Sequence, residues 1–362
     1  MAQDRETLPA DAYRSSAVFE REIDEVFRRT WCVLGRAEAV AEPGSYLAAS
    51  LAGQGVLVLR DQEGVLRAFH NVCRHRGALL VDAGCGRLGR SIVCPYHAWA
   101  YAPDGRLVGT PHVGRDEIDR AAYGLHPLPV EEWAGNLFVD LGGEAGPLRP
   151  WLEQCDDGPL AFERFGLEDL RIGRSTTCEI AANWKIVVEN YKECLHCPAV
   201  HPELVEMVPT YRGGGVVDHA RSDGGVGLKE GAVALTFDGE GALPPLPGLS
   251  EEEARSVYGA AIFPNTLLDV FGTYATLTTI YPQAVDRTTI VTDYLFAPET
   301  VAADGFDPSD VVDFMELVVR QDADVCERVQ RGIGSRAFTA GVYPDKDASL
   351  ARFNRLWRSY VA

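Results

Sequence analysis

The sequence predicts an α+β chain in two parts, a small all-β domain followed by a larger domain that mixes helices and strands. Three observations predict it. Residues 45–140 alternate short apolar runs with turn-forming Gly, Pro and Asp. The stretch LGGEAGPLRP (141–150) is rich in Gly and Pro and marks a boundary. Beyond it, helical spacing in VVENYKECLHC and in PSDVVDFMELVVRQDADVCERVQRG flanks a strand-like tract, NTLLDVFGTYATLTTIYPQAVDRTTIVTDYLF. A length of 362 residues suits two domains. The expected partition is an N-terminal segment over 1–30 that packs on the second domain, a β domain over 31–148 and the larger domain over 149–362.

The elements follow in chain order. EIDEVFRRTWCVLGR has helical spacing and ends near Trp31. GQGVLVLRDQEGVLRAFHNV holds two apolar runs joined by DQEG, a hairpin pattern, and SIVCPYHAWAYAPDGRLVGT holds another that turns at PDG. Residues 212–250 are Gly- and Pro-rich and are expected to form a long mobile loop. The tract from 265 to 296 reads as two or three strands. No internal repeat or low-complexity tract is visible.

Composition limits the partners. With 53 acidic against 34 basic residues the formal charge is −19, which argues against nucleic acid or an anionic membrane, since both demand a basic face. The first residues, MAQDRETLPADAYRSS, lack the basic and apolar regions of an export signal. No apolar run approaches the ~18 residues of a membrane span. Nine cysteines in such a chain read as thiols or metal ligands rather than a disulfide framework, and the expected compartment is the cytoplasm.

Two constellations carry chemistry. CRH (Cys73, His75) and CPYH (Cys94, His97) are separated by eighteen residues, and each half offers one thiolate and one imidazole. A structural zinc could use these four groups, although its usual pattern puts two cysteines in one half and two histidines in the other. The mixed halves suit a Rieske-type [2Fe–2S] cluster, in which one iron takes two Cys and the other two His. Glycines at 77, 84, 86 and 89 fit tight loops, and Cys85, with no partner at ligand spacing, reads as structural.

The second constellation is ENYKECLHCPAVH. On a helix from Ile186 to Cys197, Val187, Val188, Tyr191, Cys194 and Leu195 share a packing arc, so Cys194 reads as a small apolar residue. Asn190, Glu193, His196 and Cys197 share the opposite arc. Pro198 ends the helix, and His201, ahead of Pro202, is biased toward extended backbone; His196 and His201 can then converge. In the late helix, capped by Asp307 with Pro308 in its first turn, Asp322 is the single charge on the stripe Val311, Met315, Val318, Asp322, Val325 and Val329. Asp324 lies on the opposite, charged face. A lone carboxylate on a buried stripe is costly unless paired or metal-bound. His196, His201 and Asp322 therefore make a 2-His-1-carboxylate set able to hold Fe(II) with positions open for O₂; zinc competes for the histidines alone. Asn190 and Glu193 lie on the same polar arc beside it, and the resemblance stated next makes them the candidate catalytic groups.

The two motifs and their order resemble the α (oxygenase) subunit of Rieske non-heme iron oxygenases, the aromatic-ring-hydroxylating dioxygenase superfamily, from TWCVLGR to CERVQRG. The resemblance implies a Rieske domain holding a [2Fe–2S] cluster and a helix-grip (START/Bet v1-like) catalytic domain with an antiparallel sheet and a mononuclear Fe(II). It also implies a homotrimer and electrons from NAD(P)H through a separate flavin and iron–sulfur reductase. It places Glu193 as a bridge between His196 and the cluster ligand His97 of a neighbouring copy, where many relatives carry Asp. NYKECLHCPAVHPEL is most similar to members that oxidise quaternary ammonium compounds such as glycine betaine or carnitine, with Tyr211, Phe263, Phe271 and Tyr274 as candidates for an aromatic cage. CPYHAW has Ala98 where Gly is common. The other expectations are an oxygenase of an aromatic or other apolar carboxylate, a Rieske electron carrier and a zinc protein.

Overall fold

A computed structural model describes residues 6–114, 117–214 and 225–361. The chain divides into two compact units, Arg28–Leu148 and Met1–Phe27 together with Arg149–Ala362. The smaller unit is built from short strands: β1 (Cys32–Arg36), β2 (Ser45–Leu51), β3 (Gln54–Arg60), β4 (Leu66–His70), β5 (Gly84–Arg87), β6 (Ile92–Val93), β7 (Ala100–Tyr101), β8 (Leu107–Gly109), β9 (Pro127–Leu128), β10 (Val130–Trp133) and β11 (Asn136–Val139). They form sheets ordered β5-β2-β3-β4-β9, β1-β11-β10 and β6-β7-β8.

Both expected hairpins are present. The β3–β4 turn closes because the Asp61 carboxylate accepts from the backbone N–H groups of Glu63 and Val65 and from Arg67 Nε. The β7–β8 turn uses Gly105 at φ +87°; a Cβ there would lie 2.5 Å from the Phe69 ring, so glycine is required twice over. Leu57, Leu59, Phe69, Trp99 and Tyr101 pack with Cys73 and Cys94 in one core.

The larger unit begins with α1 (Ala10–Arg14) and α2 (Ser16–Glu22), which runs into a π-turn over Ile23–Phe27. The helical run in EIDEVFRRTWCVLGR ends at Phe27, just ahead of Trp31, and Cys32–Arg36 is then captured by the β11 ladder. After α3 (Leu148–Leu152) come β12 (Arg171–Ile180), α4 (Trp184–Tyr191), α5 (Cys197–Val200), α6 (Pro202–Met207), β13 (Val226–Gly227), β14 (Ser256–Ile262), β15 (Thr266–Val270), β16 (Ala275–Ala284) and β17 (Arg287–Phe296). The chain continues through α7 (Pro298–Val301), α8 (Ser309–Ile333) and α9 (Ala348–Val361). Strands β12 to β17 form one antiparallel sheet ordered β12-β17-β16-β15-β14-β13. Helix α8 packs against it, with Val311, Phe314 and Val318 in a common core with Tyr274, Tyr294 and Phe296.

The stretch expected to be a mobile loop lies partly outside the described residues (215–224). Its described remainder is packed: Ala232, Leu235 and Leu246 are buried, because apolar residues interrupt the Gly and Pro and find the core. The cap of α8 also differs. Asp307 accepts from Ser309 N–H and Oγ in a local turn ahead of the helix, and Pro308 holds the cap position without a side-chain bond.

The ends of this unit are joined by one buried carboxylate. Glu22 accepts from Lys185 Nζ (2.5 Å), Trp357 Nε1 (2.7 Å) and Trp184 Nε1 (2.9 Å), and Lys185 also donates to Asn183 Oδ1. Removing one partner leaves an uncompensated buried charge. Glu22→Ala should therefore lower stability by about 3–5 kcal/mol in urea denaturation, and adding Lys185→Met should recover part of the loss.

Candidate functional site

In the smaller unit two loops present the four cluster candidates, and they are built alike. In the first, Gly77 N–H donates to Cys73 O (3.0 Å) and Cys73 N–H to Ala78 O (2.8 Å). In the second, Ala98 N–H donates to Cys94 O (3.1 Å) and Cys94 N–H to Trp99 O (2.8 Å). Gly77 and Ala98 occupy the same place, and both are left-handed, at φ +74° and +54°. Ala98 thus holds a conformation that glycine adopts without strain.

These loops bring the His75 and His97 rings to 4.6 Å between centroids. Cys73 and Cys94 are buried, and burial pushes the Cys94 thiol up, with Cys73 beside it adding to the rise. Nδ1 of His97 is buried with no hydrogen-bond partner. Two buried thiols beside two imidazoles, one with an orphaned nitrogen, are the donor set a [2Fe–2S] cluster needs. The Tyr101 hydroxyl lies 3.3 Å from Cys73 Sγ and accepts from Arg74 N–H. It tethers the first loop from behind and was not foreseen from sequence. Cys85, expected to be structural, is exposed on β5.

In the larger unit α4 stops at Tyr191 rather than running on to Cys197 as its periodicity predicts. Lys192 leaves the helix because its Nζ is drawn to Asp157 Oδ2 (2.6 Å) and its carbonyl accepts from Ser349 Oγ. The turn that follows sets the Cα atoms of Cys194 and Cys197 5.0 Å apart, and the two form a disulfide. Cys194 is therefore not the simple apolar residue expected. Cys197 Sγ also lies with the ligating atoms of His196 and His201 in a group within 4.8 Å.

His196, His201 and Asp322 come together. Asp322 Oδ1 is 3.3 Å from His196 Nε2 and 2.9 Å from His201 Nε2, and Asn190 Nδ2 donates to the same oxygen at 2.6 Å. The outer nitrogens are held as well: His196 Nδ1 contacts Glu193 Oε1 (2.6 Å) and His201 Nδ1 contacts Gln321 Oε1 (2.8 Å). Gln321 Nε2 in turn donates to Glu203 Oε2. Glu193 is further fixed by the N–H groups of Leu195 and His196.

Each imidazole thus faces acceptors on both nitrogens. Burial disfavours charge on His196, yet Asp322 and Glu193 push it up to about 9. Burial likewise raises Asp322, but the two histidines outweigh it and hold the carboxylate at about 2. The cluster draws positive charge to one point. A divalent cation there would replace the inner imidazole protons while Glu193 and Gln321 keep the outer ones.

Asp322 is not sealed: its side chain is 29% exposed, against 1% for His201. Both line a cavity of about 190 Å³ whose wall includes Tyr191, Tyr211, Phe271, Tyr294 and Asp269. Of the expected cage residues, Tyr211 and Phe271 reach it. Tyr274 stacks behind Phe271 at 4.5 Å, and Phe263 packs elsewhere, on Trp184, Phe353 and Tyr360. Gln321 was missed because a glutamine beside the acid carries no chemical signal of its own.

Residues 167–362 match the family described as ring hydroxylating alpha subunit (catalytic domain), and residues 30–129 match the Rieske [2Fe-2S] domain. The glycine betaine monooxygenase oxygenase subunit of Chromohalobacter salexigens is 28% identical, over 93% of this chain and 81% of that protein. The carnitine monooxygenase oxygenase subunit of Acinetobacter baumannii is 31% identical, over 92% and 86%. A crystal structure of the quaternary ammonium Rieske monooxygenase CntA superposes with a TM-score of 0.80 at 26% identity, over 99% of this chain and 96% of that one.

Two outcomes follow from the geometry. Ala98→Gly should stabilise the smaller unit by up to about 1 kcal/mol, read as a higher melting temperature. Gln321→Ala frees the His201 ring and should weaken iron retention by roughly 10- to 100-fold in a chelator competition.

Proposed function

We propose, from the premise that the chain belongs to the ring-hydroxylating oxygenase α subunits and carries a Rieske domain, that it hydroxylates or N-demethylates a small quaternary ammonium compound. The observation that carries the reading is the meeting of His196 Nε2, His201 Nε2 and Asp322 Oδ1 at the wall of an aromatic-lined cavity. When bound, the Rieske cluster supplies one-electron storage and the mononuclear iron activates O₂. Cys73, His75, Cys94 and His97 would hold the first; His196, His201 and Asp322 would hold the second.

The chain's own groups have distinct tasks. Asn190 donates to Asp322 and fixes the carboxylate. Glu193 and Gln321 fix the tautomer of each histidine, so that both Nε2 lone pairs point inward. The cavity wall excludes water and packs the methyl groups of the substrate. Hydroxylation of one N-methyl carbon would give a hemiaminal that collapses to formaldehyde and the demethylated amine.

The similarity to glycine betaine and carnitine monooxygenase subunits supports the substrate class. Electrons come from NAD(P)H through a separate flavin and iron–sulfur reductase. We further assign a homotrimer in which Glu193 bridges His196 to His97 of a neighbouring copy. Exposed apolar side chains beside the cluster loops, Leu79, Val93 and Tyr96, the last 57% exposed, support a covering partner at that end. No helix among the described residues is long and apolar enough to cross a membrane; we assign the enzyme to the cytoplasm, where its reductase would find NAD(P)H.

Oxygen uptake with reductase and NADH tests the reading: glycine betaine, carnitine or choline should stimulate it and benzoate should not. Asp322→Ala should lose mononuclear iron while the visible spectrum of the cluster persists. Glu193→Ala should keep the cluster, weaken retention of the mononuclear iron roughly 10- to 100-fold as Gln321→Ala does, and in iron-saturated protein still lose coupled turnover by about 100-fold or more; unchanged turnover there would remove Glu193 from the bridge.

A further inference from the structure

The described wall of the cavity carries three carboxylates, Glu193, Asp269 and Asp322. Two of them already face imidazoles: Glu193 meets His196, and Asp322 meets His196 and His201. Asp269 does not. It lies on β15 opposite Thr276 of β16. Its Oδ1 accepts from the Tyr191 hydroxyl at 2.7 Å and its Oδ2 from the Thr276 hydroxyl at 3.3 Å. Both donors are neutral. Lys192, the lysine of the wall, gives its Nζ to Asp157. Among the described residues no ion pair includes Asp269.

A carboxylate in a mostly apolar chamber with only hydroxyl partners is short of positive charge. Burial pushes Asp269 up to about 6, and the Tyr191 and Thr276 hydrogen bonds only partly oppose the rise. The surrounding wall states what kind of cation fits. It is aromatic and aliphatic, with Tyr211, Phe271, Tyr294, Leu267 and Ile290. A primary ammonium or guanidinium would turn several N–H groups toward a mostly apolar wall, where Asp269 already accepts from two hydroxyls and Thr278 and Thr292 bond each other. A fully methylated ammonium brings none; its methyl groups pack on the apolar wall, and its charge interacts with ring faces and the carboxylate together.

We propose that Asp269 is the counter-ion that selects a methylated ammonium substrate in this cavity, an assignment that rests on the functional reading above and deepens it. Tyr191 and Thr276 hold the two carboxylate oxygens in place, so Asp269 acts as a fixed point charge and takes no proton in turnover. An aromatic carboxylate substrate would meet like charge here.

The test is anaerobic titration calorimetry on the iron- and cluster-loaded protein with two probes: choline, and the neutral alcohol in which carbon replaces its ammonium nitrogen. The wild type should bind choline more tightly by about tenfold or more, as expected for a desolvated charge pair. Asp269→Asn should remove most of that preference, the ring faces keeping only a remnant, while leaving the affinity for the alcohol unchanged. If the asparagine variant keeps most of the preference for choline, the assignment of Asp269 is overturned and the oxygenase reading stands. If the wild type binds both probes equally, recognition of a cation in this cavity fails, and with it both readings. Should the asparagine variant bind neither probe, Asp269→Glu decides: it keeps the charge and should keep the preference, and a glutamate variant that binds the two probes equally overturns the proposal.

Discussion

The larger unit is organised around a single oxygen atom. Asp322 Oδ1 receives an imidazole nitrogen from each side of the α4–α6 bend and an amide from α4 itself. Three polar groups can share one acceptor only if the chain between them is bent to fit. The early end of α4, the turn through residue 196 and the short helices α5 and α6 supply that bend. Outside this ring a second tier, Glu193 on one histidine and Gln321 with Glu203 on the other, fixes ring orientation. The arrangement is a standing demand for a cation, and the apolar cavity beside it is where that demand becomes selective chemistry.

The buried acids of this unit show how one residue type is given different duties by its partners. Glu22 faces an ammonium and two indole N–H groups and serves as structural mortar. Glu189 faces the hydroxyls of Tyr13 and Tyr343, and burial pushes it up to about 7 against those hydrogen bonds. Asp322 faces two imidazoles and is held near 2. Asp269, with two hydroxyls, sits between these extremes. Two facing imidazoles outweigh burial at Asp322, whereas hydroxyls at Asp269, and hydroxyls with the pull of Lys185 at Glu189, do not.

Much of this was legible in the sequence because the decisive signals are local. Two Cys–His pairs at short spacing, two histidines around a Pro, and one acid on an apolar helical stripe are each visible within a turn or two of chain. The break of α4 was not visible. Lys192 continues the helical wheel without fault, and the groups that draw it away, Asp157 thirty-five residues earlier and Ser349 157 residues later, are distant in the chain. The same limit hid the Cys194–Cys197 pairing, which depends on that break. Asp269 escaped notice because an acid in a strand carries no meaning until its hydroxyl neighbours from α4 and β16 are known. Gln321 and Tyr101 share this fate: each acts only through a partner far along the chain. Ala98 in sequence is only a departure from a common glycine; its meaning lies in the loop symmetry that makes it the counterpart of Gly77.

The smaller unit is one unbroken stretch, whereas the larger is divided by it. On the ribosome this imposes a schedule. The β-rich stretch can close as soon as it emerges, but the first helices have nothing to pack on. Glu22 must wait 163 residues for Lys185 and 335 for Trp357, roughly 8–33 s and 17–67 s respectively at ordinary rates of translation. Through that interval Ala10–Glu22 stays without its partners while the β-rich stretch is already closed, and nascent chains of this protein should call on holding chaperones at these helices rather than in the β-rich stretch.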